Sequence, residues 1–566
     1  MKEFFKSKRT VFLALATVTI TWLLIGTVYW LFGHDIVKAA YEGCVPLLSR
    51  TIVGQSVHSV EFYFAIADRL VKKWLLLYPV FLYLAACMLG NRLRWTAAAL
   101  LVPVITYCLG MAPSLVGGDG DEFLLQAFRM GIAHPCGYPV YLWIGKLFLI
   151  MTGNSFATMN MVSVVFAVLT LLMLWVLMRR MRISSMSATV ALMFYAFSPT
   201  FWMHAMRAEV YNVNAAFVTV ILLLFFAWHE DRKLSALSVA AFVYGLSLGV
   251  HFSNILMSLP IAIILIVAML KKRIKPTSVL LLAVGPAMVG AMIPFAYIWF
   301  RSQTLPPTGT MYCPSNFVDF VRFISGAQYG ATELPDFMFA VTRVFRHLGI
   351  LMFGFMGIGF VLSAIGLFAR KQSKNLFTVF LIMLLCFDLS FFTFYRVGDF
   401  YVMTVVSHIV IALFLGRGMD LLYGSKRIMA EFVVPLCACG VTLQMVLFPH
   451  FFDQFREDLD ARERGEAVLV LIQEESTVFA PWNIYTSLRC VQTLQHRQEN
   501  THVYEISNQA RYYGKGENIT RIIWQDYVEE NIGRQPIYCI GMDSSINSLY
   551  DMEPVGADVY RLSRKE

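Results

Sequence analysis

The stretch "GGDGDEFLLQAFRMGIAHPCGYPVYLWIG", residues 117–145, lies between long apolar segments of the chain. Three acidic residues, Asp119, Asp121 and Glu122, stand near its start, and the helix-breaking "HPCGYP" follows them. Burying an unpaired charge at a bilayer edge is costly, so acidic residues placed there need an explanation. The segment is either a capped surface helix or a place where chemistry occurs.

The two interpretations of this segment are compatible. Asp119 as N-cap and Glu122 three positions later predict an acidic form of the capping box, which opens an amphipathic helix that runs through Met130. A partly desolvated carboxylate gains basicity and can take a proton from an acceptor. The end of a capped helix would hold such a base rigidly.

Composition indicates a polytopic helical membrane protein. Of the 566 residues, 58% are hydrophobic and 15% are charged, whereas soluble chains are about a quarter charged. The net charge of +9 does not indicate nucleic-acid binding, because the Lys and Arg residues form short clusters beside apolar runs. The ten cysteines show no zinc-like or disulfide-framework spacing, so neither a metal site nor a cofactor is predicted. A divalent cation held by the acidic residues is the alternative.

Apolar runs long enough to cross a bilayer recur along the chain. A span needs roughly 20 residues, and about thirteen segments qualify. These are 11–33, 74–90, 95–113, 156–178, 186–203, 210–228, 235–250, 254–270, 277–300, 346–368, 376–394, 400–417 and 428–447. No small-residue cleavage site follows the first run, which predicts an uncleaved helix. We therefore expect about 11–13 transmembrane helices.

Basic clusters such as "RRMR", "KKRIK" and "GSKR" recur at alternate ends of these spans. Placing them in the cytoplasm puts the N-terminus inside and the unusual polar loops outside. The tail, residues 448–566, carries short β-like runs that alternate with helical patches, which predicts a small α/β domain. The predicted organisation is an N-terminal membrane extension over 1–94, a transmembrane core over 95–447, and an outer α/β domain over 448–566.

Several outer loops supply polar residues that could share one pocket. Guanidinium groups match phosphoryl oxygens, so arginines at outer helix ends could clamp a phosphate. Each residue alone is also explained as an interface anchor or a hydrogen-bonded loop residue. The candidates for donor binding are Arg301, Arg396, Arg207, His134, His251 and Tyr138. The candidates for an acceptor or structural site are Glu209, Tyr211 and Asp399. Asp388 lies within a span, and we expect it to pack helices together.

The segment "DGDEFLLQAFRMGIAHPCGYPVY" resembles the first outer-loop signature of a family of GT-C glycosyltransferases related to protein O-mannosyltransferases. "RAEVYNVNAAF", "GLSLGVHFSN", "PFAYIWFRS" and "SGAQYG" are similar to later landmarks of that family, in the same order. The resemblance covers residues of about 95–450. This chain departs from the pattern at Asp121, where the family has Gly, at Cys136, where it has Pro, and at "TMYCP", residues 310–314.

The resemblance implies a GT-C-like membrane fold and transfer of a sugar from a polyprenyl-phosphate donor on the outer or luminal face. An acid of the first outer loop would be the base. By position this is Asp119, with Glu122 also matched and Asp121 as the alternative. Mannose and protein Ser/Thr are the implied sugar and acceptor, and an envelope glycan is another acceptor. The membrane would be the bacterial inner membrane or the endoplasmic reticulum.

Two other classes compete with this hypothesis. A transporter or lipid flippase would need polar residues near the middle of the membrane, broken helices and often internal repeats. A scaffold without catalytic activity would bind partners through the outer domain. Asp388 is nearly the only charge within a span, no internal repeat is visible and the polar residues lie at one rim, which argues against a transporter. A scaffold would not need the acids and arginines of the outer loops.

Overall fold

The computed structural model describes residues 92–304, 314, 316–327, 337–368, 375–395, 400–425, 427–447, 460–506, 527–541, 544–556 and 558–565. The predicted spans 11–33 and 74–90 lie outside the described residues. The same holds for Arg396 and Asp399, and for the N-terminal extension 1–94 except its last three residues.

The N-terminal and central parts of the described chain are helical. In chain order the helices are α1 (Arg92–Gly110), α2 (Asp119–Arg129), α3 (Pro139–Thr152), α4 (Thr158–Arg180), α5 (Ser185–Ala196), α6 (Pro199–Ala205), α7 (Val210–Asp231), α8 (Leu234–Ser247), α9 (Phe252–Leu270), α10 (Pro276–Thr304), α11 (Phe317–Ile324), α12 (Phe337–Gly354), α13 (Ile358–Leu367), α14 (Leu376–Phe394), α15 (Val405–Ser425) and α16 (Arg427–Leu447).

Seven of the described helices are long and apolar enough to cross a membrane, namely α4, α7, α9, α10, α12, α14 and α15. Shorter apolar helices of 10–17 residues stand among them, including α3, α5 and α8. Helix α3 has 14 residues, fewer than the roughly 20 that a span needs. The chain is an integral multi-pass membrane protein.

Two predicted spans are interrupted. The segment 346–368 breaks between α12 and α13, where Met356 and Gly357 take left-handed φ values of 53° and 65°. Such values end a regular helix. The segment 186–203 breaks before Pro199, since the preceding Ser198 is extended, with ψ of 139°. A residue before proline is disfavoured in the helical region, and sequence hydropathy alone does not register this.

The basic loops gather at one end of the helical bundle. Arg180, at the end of α4, forms an ion pair with Asp231, at the end of α7, with 3.3 Å between Nη1 and Oδ2. His229 lies 2.9 Å from the side-chain oxygen of Asn375. Helix α4 has 23 residues and is therefore about 34 Å long. Its other end, near Asn160, reaches the segment that carries the acidic residues.

Close backbone approaches and one buried acid join the helices. A Cβ atom at Gly245 would lie 2.1 Å from the carbonyl oxygen of Ala287, so α8 and α10 approach as closely as they do only with glycine there. Asp388 accepts hydrogen bonds from the backbone N–H and the hydroxyl of Ser407. These bonds join α14 to α15, in agreement with the packing role expected for Asp388.

The described C-terminal part is a small α/β unit. It contains α17 (Asp460–Leu471), β1 (Thr477–Ala480), α18 (Trp482–Leu494), β2 (His502–Glu505), β3 (Ile537–Ile540), α19 (Ser544–Leu549), β4 (Tyr550–Gly556) and β5 (Val559–Arg564). The sheet order is β2-β1-β3-β5-β4. Strand β1 is parallel to β2 and β3, whereas β5 is antiparallel to β3 and β4.

The β-like runs in the tail sequence correspond to β1, β2, β3 and β5, as predicted. Strand β4 was not predicted, because "YDMEPVG" contains two acids, a proline and a glycine, all of which are depleted in strands. Gly533 has φ of +87° and follows the helical residues 527–531, so it lies where a helix ends.

Candidate active site

Helix α2 begins at Asp119 and ends at Arg129, followed by Met130 in the left-handed conformation. The predicted end at Met130 is confirmed, but the predicted capping box is wrong. The N-cap is Gly118, with φ of 64°, and no side chain caps the helix. The two acids that would have formed the box instead contact other parts of the molecule.

Glu122 is paired with His134 from the turn that follows α2. One carboxylate oxygen accepts the backbone N–H of His134 at 2.7 Å, and the other lies 2.5 Å from Nδ1 of its ring. The side chain of Glu122 is 1% exposed and that of His134 is 17% exposed. A buried carboxylate needs such hydrogen bonds, because leaving it unpaired would cost several kcal/mol.

The electrostatics of this pair favour an imidazolium. Burial alone would lower the pKa of His134, but the nearby Glu122 and Asp119 carboxylates outweigh it and raise that pKa from 6.5 to about 9. Burial raises the pKa of Glu122, and His134 opposes that rise. Glu209 also helps to raise the pKa of His134. The raised pKa of His134 therefore favours its protonated, positively charged form at neutral pH.

Asp119 is the accessible carboxylate of the three. Its side chain is 46% exposed, and Oδ2 lies 3.9 Å from Nε2 of His134. The other oxygen, Oδ1, accepts a 2.7 Å hydrogen bond from the indole N–H of Trp482, at the start of α18. Asp119 can thus meet a substrate while it stands next to a positive charge.

Asp121 is buried, with 1% of its surface exposed. Its carboxylate accepts the backbone N–H of Val116 at 3.0 Å and the hydroxyl of Ser487 at 2.6 Å. A carboxylate so placed is held inside the protein and does not meet solvent. Between the two candidate bases that the sequence left open, the geometry favours Asp119.

A row of rings extends from the Glu122–His134 pair. The ring of Tyr138 lies 4.9 Å from that of His134 and 6.0 Å from that of His251, and Tyr211 lies 5.8 Å from His251. Burial lowers the pKa of His251 to about 4, with His134 adding to the effect, so His251 is neutral. The structure therefore brings together four of the residues singled out in the sequence.

Glu209 and Arg207 stand beside this row. Nη2 of Arg207 lies 3.3 Å from Oε1 of Glu209, and both side chains are mostly buried. Asn160, at the start of α4, fixes the backbone here: it accepts the N–H of Ala208 at 2.7 Å and donates to the carbonyls of Ala112 and Ser114. Asn160 was not predicted from the sequence, although an amide at the start of an apolar helix is a usable signal.

Arg301 contacts the opposite end of α2 from Asp119. Its guanidinium donates to the carbonyl oxygen of Met130 at 2.6 Å and to that of Arg129 at 3.1 Å. These are the carbonyls that a helix leaves unpaired at its C-terminus, where a positive charge is favourable. Helix α2 has 11 residues, so about 16 Å separates its two ends. A phosphate-binding role for Arg301 stays a prediction.

The turn "HPCGYP" is held against α10 and α11. Gly137 has φ of +85°, and a Cβ atom there would meet Ile298 and Phe323 at 3.0 Å. Among the described residues, no group of three or more His, Cys, Asp or Glu side chains is arranged to hold a metal ion. That no metal or cofactor is needed stays a prediction.

The family model and the known sequences that match this chain carry the same name. A family model described as the N-terminal domain of protein O-mannosyl-transferase TMEM260 matches residues 119–275, and so begins at Asp119. Protein O-mannosyl-transferase TMEM260 of Mus musculus is 26% identical over 251 residues, which are 43% of this chain and 36% of the relative. The Dictyostelium discoideum protein of that name is 22% identical over 363 residues, 56% of this chain and 44% of the relative. The chain therefore spans less than half the length of these relatives.

Solved structures agree on the fold. ArnT from Cupriavidus metallidurans in the apo state superposes with a TM-score of 0.59 at 11% identity, over 83% of this chain and 97% of that chain. The same protein bound to undecaprenyl phosphate gives a TM-score of 0.58 at 12% identity. At such identities the likeness concerns the fold alone. Together with the sequence relatives it confirms the resemblance stated above: the chain is related to the protein O-mannosyltransferase family and has a GT-C fold.

Proposed function

We propose that this protein transfers a sugar from a polyprenyl-phosphate-linked donor to a hydroxyl acceptor, with Asp119 as the general base. The observation that supports this most directly is the contrast among the three acids of α2. Asp121 and Glu122 are buried and bonded to protein donors, whereas Asp119 is 46% exposed beside a positively charged His134. A base must be reachable by the hydroxyl whose proton it takes.

The reaction forms one bond and breaks one bond at the anomeric carbon of the sugar. The acceptor oxygen attacks that carbon while its proton passes to Asp119. The bond from the carbon to the phosphate oxygen breaks, and its electron pair leaves with the polyprenyl phosphate. General-base help of this kind is worth roughly 10²–10⁴-fold in rate.

The leaving phosphate gains negative charge and needs cations close by. We assign this role to the His134 imidazolium and to Arg207, both beside the row of rings, and to Arg396, which lies outside the described residues. Arg301 is assigned to the C-terminal end of α2, because its guanidinium donates to the backbone carbonyls of Arg129 and Met130. His251 and Tyr138 would line the donor side of the pocket.

The identities of donor and acceptor rest on the names of relatives. The curated relatives are named protein O-mannosyl-transferases, which favours mannose and a protein Ser or Thr hydroxyl. The ArnT structure with undecaprenyl phosphate favours a polyprenyl-phosphate lipid as partner. An envelope glycan is the other acceptor to test. We place the reaction on the outer or luminal face of the bacterial inner membrane or of the endoplasmic reticulum.

The test is transfer by the purified full-length protein from a panel of polyprenyl-phosphate monosaccharides to peptide and glycan acceptors, followed by mass spectrometry. Asp119→Asn should retain expression and membrane insertion but lose at least about a hundredfold in transfer rate. The matched control is Asp231→Asn, an Asp that is 40% exposed at the basic end of the bundle. It should transfer at the normal rate.

Near-normal transfer by Asp119→Asn would remove this residue from the role of base. Counterflow of a lipid-linked sugar in proteoliposomes without acceptor, together with no transfer in any assay, would instead favour a transporter or flippase.

A further inference from the structure

Helix α18 of the C-terminal α/β unit lies alongside α2 from end to end. Trp482 contacts Asp119, Ser487 contacts Asp121, and Thr493 accepts a 2.7 Å hydrogen bond from Arg129. The contacts ascend together along both helices, so the two helices run in the same direction. The sulfhydryl of Cys490 also lies 2.9 Å from the carbonyl oxygen of Asp121. The C-terminal unit is thus packed directly onto the helix that carries the candidate base.

The first of these contacts reaches the candidate base itself. The indole N–H of Trp482 donates to Oδ1 of Asp119 at 2.7 Å. The indole is held in turn by stacking on Tyr485, with ring centroids 5.9 Å apart and planes 21° from parallel. Pro481 precedes it as the N-cap of α18, directly after β1. The indole donor of Trp482 therefore lies at the junction of a strand and a helix, and both of these elements are rigid.

This hydrogen bond makes the two oxygens of Asp119 different. Oδ1 is occupied by Trp482, whereas Oδ2 is on the side of His134, 3.9 Å from Nε2. A carboxylate has free rotation about two side-chain bonds and would otherwise sample several orientations in a half-exposed position. The bond to a fixed indole selects the orientation that presents Oδ2 towards His134.

We propose that Trp482 is a positioning residue for Asp119, so that the C-terminal α/β unit supplies part of the catalytic centre. This inference rests on the function proposed above and extends it to a residue outside the segment 119–275 that the family model matches. Displacement of a reacting group by about 1 Å can lower the rate on the order of a hundredfold, so the loss of a single hydrogen bond to the base is expected to slow the reaction.

The alternative is that Trp482 only packs α18 against α2. Ser487, Cys490 and Thr493 already make such packing contacts, so packing does not require the indole N–H. The two roles differ in what they do to kinetics. A positioning contact changes kcat through Asp119, whereas a packing contact changes stability and affects any variant of Asp119 to the same degree.

The experiment is a double-mutant cycle on the full-length protein in the transfer assay. Trp482→Phe keeps a ring and removes the N–H donor; it should lower kcat about tenfold while the KM values for donor and acceptor change less than about twofold. In the Asp119→Asn background the same substitution should lower kcat no further. Trp228→Phe, in α7 at the other end of the bundle, is the control for a tryptophan-to-phenylalanine change and should leave kcat unchanged.

Each other result overturns the proposal in its own way. Unchanged kcat in Trp482→Phe, while Asp119→Asn is inactive, rejects the positioning role and leaves the proposed function intact. An equal loss in both backgrounds shows packing alone, and a raised acceptor KM with normal kcat shows acceptor binding. Near-normal transfer by Asp119→Asn removes the base and its positioning residue together. If Trp482→Phe does not fold, benzothienylalanine at position 482 keeps the indole shape without the N–H and should give the same tenfold loss.

Discussion

The two ends of the helical bundle differ in how far their charged side chains are exposed. At the basic end, Arg180 and Asp231 pair at 3.3 Å with 48% and 40% of their side chains exposed. At the other end, Asp121 and Glu122 are each 1% exposed and bonded to specific donors. An exposed pair contributes little, about 0–1 kcal/mol, because water and salt screen it. A buried carboxylate is tolerated only if its partners are kept in place.

This difference separates exposed charges, which water screens, from buried charges that each have a specific partner. Substitutions of the exposed charges at the basic end are expected to have little effect on the free energy of unfolding. At the acidic end each carboxylate has its own partner, drawn from α18, from the turn after α2, or from the loop before it. Three substitutions would test whether the contrast is as large as the contacts imply.

The largest effect is expected for Asp121→Ala. The substitution leaves the N–H of Val116 without its acceptor, which costs about 1–3 kcal/mol, and leaves the hydroxyl of Ser487 with only the carbonyl oxygen of Asn483, 2.9 Å away. The thermal unfolding midpoint in detergent should fall by several degrees. Asp231→Ala, at the basic end, should change the free energy of unfolding by less than about 0.5 kcal/mol. Similar midpoints for the two variants would contradict the contrast.

An intermediate effect is expected from pH, through the Glu122–His134 pair. The pKa of His134 is raised from 6.5 to about 9, so protonation stabilises the folded state. This contribution is fully present below about pH 6.5, declines between 6.5 and 9, and is lost above about 9. The unfolding midpoint should therefore fall over this window in the unaltered protein. His251 adds nothing there, because its pKa is lowered to about 4.

Glu122→Gln is the matched variant for this titration. Glutamine cannot hold the imidazolium by charge, so the pKa of His134 should return towards its usual value and most of the fall above pH 7 should disappear. The difference between the two midpoints, measured from pH 6 to pH 10, isolates the pair from other groups that titrate. A constant difference over that range would show that the pair carries no charge.

The smallest effect is expected for Arg301→Met. Loss of the hydrogen bonds to the carbonyls of Met130 and Arg129 should reduce the free energy of unfolding by about 1 kcal/mol. The donor KM should change less than about twofold, since the guanidinium is assigned to the end of α2. A tenfold rise in donor KM would return Arg301 to the phosphate-binding role predicted from the sequence.

Local patterns predicted the elements well where short-range chemistry decides them. The end of α2, which Met130 closes, and the strands β1, β2, β3 and β5 each depend on a few neighbouring residues. The predicted capping box was wrong because Asp119 contacts Trp482 and Glu122 contacts His134 instead. Local capping rules describe an isolated helix, and tertiary contacts override them.

The candidate site was predictable in part. We expected polar residues of several outer loops to lie together, and the structure brings together the rings of His134, Tyr138, Tyr211 and His251. Each of these residues lies near an end of an apolar helix. The hydrogen bond from Trp482 to Asp119 joins residues 363 positions apart and leaves no periodicity or motif in the sequence. The contact of Arg301 with the end of α2 could not be predicted for the same reason, because only the folded structure shows which carbonyl oxygens an arginine contacts.

The parallel pairing of α2 with α18 also bears on when the protein becomes active during synthesis. Asp119, the proposed base, is translated 363 positions before Trp482, the residue proposed to orient it, and the described membrane helices lie between them. A nascent chain halted before position 482 would carry every acid of α2 without the partner helix. On the function proposed above, competence for transfer requires that the C-terminal α/β unit has been translated and has folded onto the bundle.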